Sequence, residues 1–393
     1  MWTRQSLADA FSPSDNSFGF LRLLFAFAVL VSHTWPLALG RDDPGGGITN
    51  GQASLGDGAV FGFFVISGFL ITQSGIRFPA GRYLWHRALR ILPGLWTCLI
   101  ITAFVLAPLV AIIEHGSLHG FWTHPQGPAQ YVVKNWFIAI QQYGISGLLQ
   151  SDTSNAVANS AFDGSLWSLI YEVGCYFMVA GLAIVGVLKR AKWVVLAITA
   201  VCFGLLVFDL IESALIGGSG VHGPVFGFHG LDWHFVIHLT YLFLLGALAE
   251  LYSDRIPFND GLALVAALAL AGSMAFGGLA VFGYAPFAYL VLWLGIRLPQ
   301  RLRGVGRRRD YSYGFYIYAF PVQQILALVR VQRFGVPLYI VVASIGTLIL
   351  AVPSWRLVEK PAMALRNWVL PWRRPILKVP ATQETPELAA ERQ

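Results

Sequence analysis

Between residues 18 and 355 the chain keeps returning to apolar runs long enough to cross ~30 Å of hydrocarbon, and that repetition restricts the fold more than any motif. About ten such runs can be placed, at 18–39, 58–76, 91–113, 165–188, 193–216, 233–251, 261–277, 283–298, 311–329 and 336–355. In lipid each backbone polar group must find its partner inside the protein, so spans of this kind fold as helices. Charged residues make up 12% of the 393 positions, about half the ~25% of soluble domains. Too little polar surface remains to coat a water-soluble globule. The expected fold class is all-α, a polytopic transmembrane helical bundle.

A net charge of +7 would suit nucleic acid if the basic residues formed one face, but they sit in the connections between apolar runs. With the N-terminus in the cytoplasm, Arg77, Arg82, Arg87 and Arg90, then Lys189, Arg190 and Lys192, then Arg297 to Arg309 and the tail are all inside. Only Arg41, Lys134, Arg330 and Arg333 are then outside, four of 27 basic residues. This bias predicts a membrane protein with both termini cytoplasmic and no nucleic-acid partner. Residues 1–17 are polar and no small-residue cleavage motif follows the first run, so that run is expected to remain as a span. Cys98, Cys175 and Cys202 fall in apolar runs without paired spacing and read as small core residues.

The expected organisation is a short cytoplasmic segment at 1–17, a membrane domain at 18–361, and a tail at 362–393 that is interfacial and then disordered. Gly277, Gly278, Gly283 and Pro286 break the apolar stretch 258–298 into two short helices joined by a tight external turn. Reading it as one span would carry the Arg-rich 301–309 segment outside. The longest external segment, 114–164, holds YVVKNWFIAI and is expected to form an interfacial helix and a lid.

Against this apolar background a few polar residues stand out. Arg22 and His33 share the first span, ~16 Å apart along a helix axis. Neutral histidine can take a proton from a hydroxyl, so His33 is either a general base or a ring satisfied by a neighbouring helix. Glu172, in GSLWSLIYEVGCYF, lies at similar depth in another span. It is expected to orient His33 or to form a structural ion pair with a neighbouring helix. Arg87 and Arg90 are three apart and share a helical face with the depth of Arg22. Guanidinium groups gathered there suit the phosphates of a cytoplasmic donor. Tyr313, Tyr316 and Gln323 run into the ninth span, where Pro321 frees backbone carbonyls. With Ser67, Trp167 and Ser168 they are the candidate cavity lining. Ser67 lacks the GxSxG setting of a nucleophile, and beside Gly68 it suits close helix packing. His234 and His238, like His115 and His119, have i,i+4 spacing but not the HExxH glutamate. They read as interface or loop histidines, and no metal is expected.

Six segments in order resemble the integral-membrane acyltransferase family 3, the group that contains polysaccharide O-acetylases. They are FLRLLFAFAVLVSH, GQASLGDGAVFGFFVISGFLIT, YLWHRALRILPGLW, GSLWSLIYEVGCYF, DYSYGFYIYAFPVQQ and WRLVEKPAMAL. The resemblance spans residues 16–366 and is to the single-module form, without a soluble C-terminal domain. It implies transfer of an acyl group, usually acetyl from acetyl-CoA or another acyl-CoA, to a hydroxyl of a glycan or lipid-linked saccharide at a bacterial inner membrane. It also implies that His33 is catalytic and that Arg22, Arg87 and Arg90 serve the donor. Two positions depart from the common pattern: Gly19 replaces an acidic residue before the arginine, and Ala319 replaces a histidine, which shifts weight onto His33. A proton-coupled transporter with a His/Glu relay is the rival reading, but it leaves the basic cluster unexplained and would favour internal repeats, which are not evident here.

Overall fold

A computed structural model describes residues 5–150, 161–216, 231–306 and 309–367. Most of the tail expected at 362–393 lies outside the described residues. Helices occupy all ten expected positions: α1 Phe18–Thr34, α2 Leu55–Arg77, α3 Ala80–Ile101, α4 Leu169–Ile184, α5 Lys192–Ile216, α6 Trp233–Leu251, α7 Asp260–Phe276, α8 Tyr284–Arg297, α9 Ser312–Leu328 and α10 Val336–Ser354. Among the described residues there is no named strand, and eight helical segments are long and apolar enough to cross a membrane. The fold is all-α, a polytopic helical bundle. Helices α7 and α9, at 17 residues each, fall just short of that length.

Local chemistry explains the boundaries that matter. At the start of α2, Ser54 Oγ accepts from the Asp57 N–H and the Asp57 carboxylate accepts from the Ser54 N–H, a reciprocal cap. The stretch at 258–298 divides as its glycines predict. Gly277 and Gly278 take φ of 97° and 83°, left-handed backbone that suits glycine, and turn the chain from α7 towards α8. Helix α3 begins at Ala80, eleven residues before the apolar run does, and continues through a π-turn at Thr102–Leu106 to His115. Its first turns therefore carry the basic residues inside a packed helix rather than in a loop.

The bundle is organised on α2 and α6. Of the most apolar 18-residue window, 67% is buried in α2 and 61% in α6, against 28% in α5. Glycine makes that contact possible. A methyl group on Gly68 would lie 1.9 Å from the Phe243 carbonyl oxygen, and one on Gly246 would lie 2.2 Å from that of Val65. Small residues let the two backbones touch, which is how helices gain dispersion energy where lipid offers no hydrophobic drive. Large apolar side chains such as Leu205, Phe208, Leu268 and Phe276 point outward, as a surface solvated by lipid requires.

The 114–164 segment is anchored at its described parts. It forms a short helix at Pro128–Asn135. From it Tyr131 donates a 2.5 Å hydrogen bond to buried Asp163, which also accepts from Thr102 of the α3 π-turn at 3.3 Å.

Candidate active site

Arg22 sits one turn into α1 and Arg87 and Arg90 two to three turns into α3, and packing brings all three to one cavity. Three guanidiniums cannot be gathered in a bundle without counter-charge, and two carboxylates supply it. Asp310, just ahead of α9, lies 2.6 Å from Arg90 and 3.8 Å from Arg22. Glu359, in the π-turn that follows α10, is 1% exposed and lies 3.8 Å from Arg90. Burial pushes the Asp310 carboxyl up, but the adjacent Arg90 and Arg22 guanidiniums and the Ser312 donors outweigh it. They hold the group below its usual range. Arg90 is further boxed by the rings of Tyr313 and Trp355, at 5.7 and 5.8 Å.

Arg87 is treated differently. It forms no ion pair with a described carboxylate, and its Nε is buried without a hydrogen bond. A guanidinium with donors not taken up by the protein has the planar geometry that suits an anion.

Beyond the arginines the cavity is walled by Phe63, Ser67, Ser168, Glu172, Tyr176 and Tyr316. It is narrow, about 90 Å³. Ser67 and Tyr176 hydroxyls donate to one Glu172 oxygen at 2.9 and 2.7 Å. Tyr316 donates to the Ser165 carbonyl at 2.7 Å and meets Ser168 at 2.7 Å. A wider cleft of about 690 Å³ adjoins this cavity at Ser312, lined by Gly19, Arg309, Asp310 and Tyr311.

His33 lies further along α1, immediately before a π-turn at Trp35–Leu39. Its ring stands edge-on to Phe320, centroids 5.1 Å apart, and its Nδ1 is buried without a hydrogen-bond partner. Phe320 is one helical turn beyond Tyr316 on the same face of α9. That face of α9 therefore meets the arginine cavity at Tyr316 and His33 at Phe320.

Comparison with known proteins decides the class of chemistry. The family model of an acyltransferase domain, acyltransferase family 3, matches residues 15–356. The chain belongs to this acyltransferase family. Its relatives include an O-acetyl transferase of Shigella phage Sf6, 29% identical over 357 residues, covering 88% of this chain and 95% of the relative. Another is Nodulation protein 10 of Rhizobium leguminosarum bv. viciae, 29% identical over 382 residues, covering 91% and 95%. No solved structure matches the chain significantly.

For this acyltransferase the structure brings Arg22, Arg87 and Arg90, expected at a donor site, into one cavity with Ser67, Ser168, Tyr313 and Tyr316, expected as lining, and adds Glu172, which was expected beside His33. Four expectations are corrected. Glu172 lines the arginine cavity and is held by Ser67 and Tyr176, whereas His33 packs on Phe320, so the two are not paired. Similar depth along two helices does not fix which way each side chain points around its axis. Trp167 does not line the cavity: its ring packs on Phe235 and Tyr171. Gln323 does not line it either. Its side-chain amide ties α9 to α1 by donating to the Leu30 carbonyl at 2.8 Å and Thr34 at 3.1 Å. Of the carbonyls expected to be freed by Pro321, that of Ile317 takes the Cys98 thiol at 3.6 Å rather than opening on a cavity.

Asp310 and Glu359 were missed as site residues. Both lie in segments that carry the family resemblance, and a buried guanidinium calls for an acid. Nothing local, however, says which of the chain's 20 acids answers it.

Proposed function

We propose that this acyltransferase moves an acetyl group from acetyl-CoA to a hydroxyl of a cell-surface or exported glycan, in a bacterial inner membrane with both termini cytoplasmic. The observation that carries the reading is Arg87, a guanidinium with unused donors in a narrow cavity beside a wider cleft. Coenzyme A fits that division: bulky phosphorylated nucleotide in the cleft, phosphates against Arg87, and the slender pantetheine arm threading past Tyr316. The name of the phage relative supports acetyl as the group and oxygen as its destination.

At the end of that path His33 is the general base. The acceptor hydroxyl gives its proton to His33 as its oxygen attacks the thioester carbonyl. The carbon–sulfur bond then breaks, and coenzyme A leaves as the thiol, taking the proton from His33. The buried Nδ1 of His33 holds no hydrogen bond that a change of ring protonation would have to break. Glu172, tied to Ser67 and Tyr176, shapes the donor passage instead of orienting the imidazole.

The test uses purified protein in detergent with acetyl-CoA and a panel of surface glycans. Free thiol should appear only when an acceptor is present, the acceptor should gain an acetyl mass, and His33→Ala should do neither while still folding. Acetylation at the normal rate by His33→Ala would remove the base assignment. Thiol release from other acyl-CoA donors but not from acetyl-CoA would overturn the acetyl assignment.

A further inference from the structure

Helix α5 is one of the less enclosed apolar spans, with 28% of its window buried, yet it carries a carboxylate, Asp209, that is 1% exposed. A buried acid in such a helix is costly unless something answers it. What faces it comes from α6. His234 Nδ1 lies 2.8 Å from Asp209 Oδ2, and His238 Nε2 lies 3.6 Å from the same oxygen. The ligand atoms of the three residues all lie within 4.8 Å of one another.

Hydrogen bonding alone does not satisfy this cluster. His238 is 4% exposed, its Nδ1 is engaged by the Tyr284 hydroxyl at 2.9 Å, and its Nε2 has no hydrogen-bond partner. The free oxygen of Asp209, Oδ1, is also buried without one. Suppose His238 donates from Nδ1 to Tyr284. Its Nε2 lone pair then faces a carboxylate oxygen, acceptor against acceptor. In the other tautomer an N–H points at Oδ2 from 3.6 Å, too far to bond. A cation between the groups resolves both cases. Tetrahedral zinc with bonds near 2.0–2.1 Å places its ligand atoms about 3.3 Å apart. The 3.6 Å pair is already near that spacing. The 2.8 Å pair reaches it by opening ~0.5 Å or by using Oδ1.

We infer that Asp209, His234 and His238 form a binding site for a divalent transition ion, with two imidazoles and one carboxylate as ligands, a set that suits zinc. Tyr284 is the outer partner that orients His238. His234, 34% exposed at its side chain, is the route of entry. None of the three ligands lines the arginine cavity. The ion is therefore structural: it ties α5 to α6 and, through Tyr284, to α8. The acid that completes the site lies 25 residues before His234, across an inter-helix connection, so the histidine spacing alone could not reveal it.

The experiment takes untagged full-length protein in detergent, dialysed against zinc chloride and then zinc-free buffer. Elemental analysis should find about one zinc per chain, and His238→Ala and His234→Gln should retain none. Thermal unfolding checks the fold of each variant: zinc should raise the wild-type midpoint and leave both variants' transitions unmoved. Tyr284→Phe should bind ~10–100-fold more weakly, the effect of losing an outer-shell partner. Zinc retention that survives in the two histidine variants would overturn the assignment. So would a wild type that neither retains zinc nor shifts its midpoint, leaving a hydrogen-bonded triad only.

Discussion

The two ends of α1 handle polarity in opposite ways. At one end Arg22 is answered before any ligand arrives, by Asp310, which also holds Arg90. At the other, His33 keeps a buried nitrogen with no partner at all. The difference follows from charge. A guanidinium is always ionised and an unpaired buried charge is prohibitive, so its counter-ion has to be part of the fold. A neutral imidazole left without a bond costs only about 1–3 kcal/mol. The fold can carry that at the position proposed for proton exchange. Arg87 is the instructive exception, a cation held among paired ones with its Nε unused.

The largest effect should come from the His33 end. His33→Ala should lower the rate of acyl transfer by ~10²–10⁴-fold, the usual contribution of a general base, with the thermal midpoint little changed. Next is the counter-ion. Asp310→Asn leaves Arg22 and Arg90 short of charge and should cost about 3 kcal/mol of stability, read by thermal unfolding at neutral pH. Because the folded-state Asp310 carboxyl is held below its usual value, its contribution is fully present above pH ~4 and is lost as pH falls through the lowered folded value. Wild type should therefore lose stability on acidification over a window in which Asp310→Asn has nothing left to lose.

Arg87→Ala should have the opposite profile from Asp310→Asn. Stability should hold while KM for acetyl-CoA rises ~10–100-fold, the worth of a hydrogen bond to a charged group. An unchanged KM would mean that Arg87 is only a positive-inside residue. The smallest effect is expected at Trp167, which packs on Phe235 and Tyr171 outside the cavity. Trp167→Phe should leave donor KM within about twofold, as an aromatic swap that keeps most of the packing volume. A larger rise would put that ring on the substrate path.

Much of the bundle was legible in the chain. Span length, helicity and the break at Gly277–Gly278 follow from backbone hydrogen bonding in lipid and from glycine's access to positive φ. The shared face of Arg87 and Arg90 follows from three-residue spacing on a helix. Trp167, Gln323 and the His33–Glu172 pairing went astray together, because each required knowing how far a helix is rotated about its own axis. That rotation is set by contacts such as Gly68 against Phe243 and Gln323 against Leu30, which no local pattern encodes.

The sequence by itself determined that this protein is a helical membrane bundle with an arginine and a histidine on one span, since hydropathy and spacing act along the chain. Only the tertiary structure decided which acids answer those arginines, that Glu172 belongs to the arginine cavity, and that Asp209 meets two histidines. Ion pairs and cavities depend on distance through space, and residues 22 and 310, or 209 and 238, become neighbours only once the helices have packed.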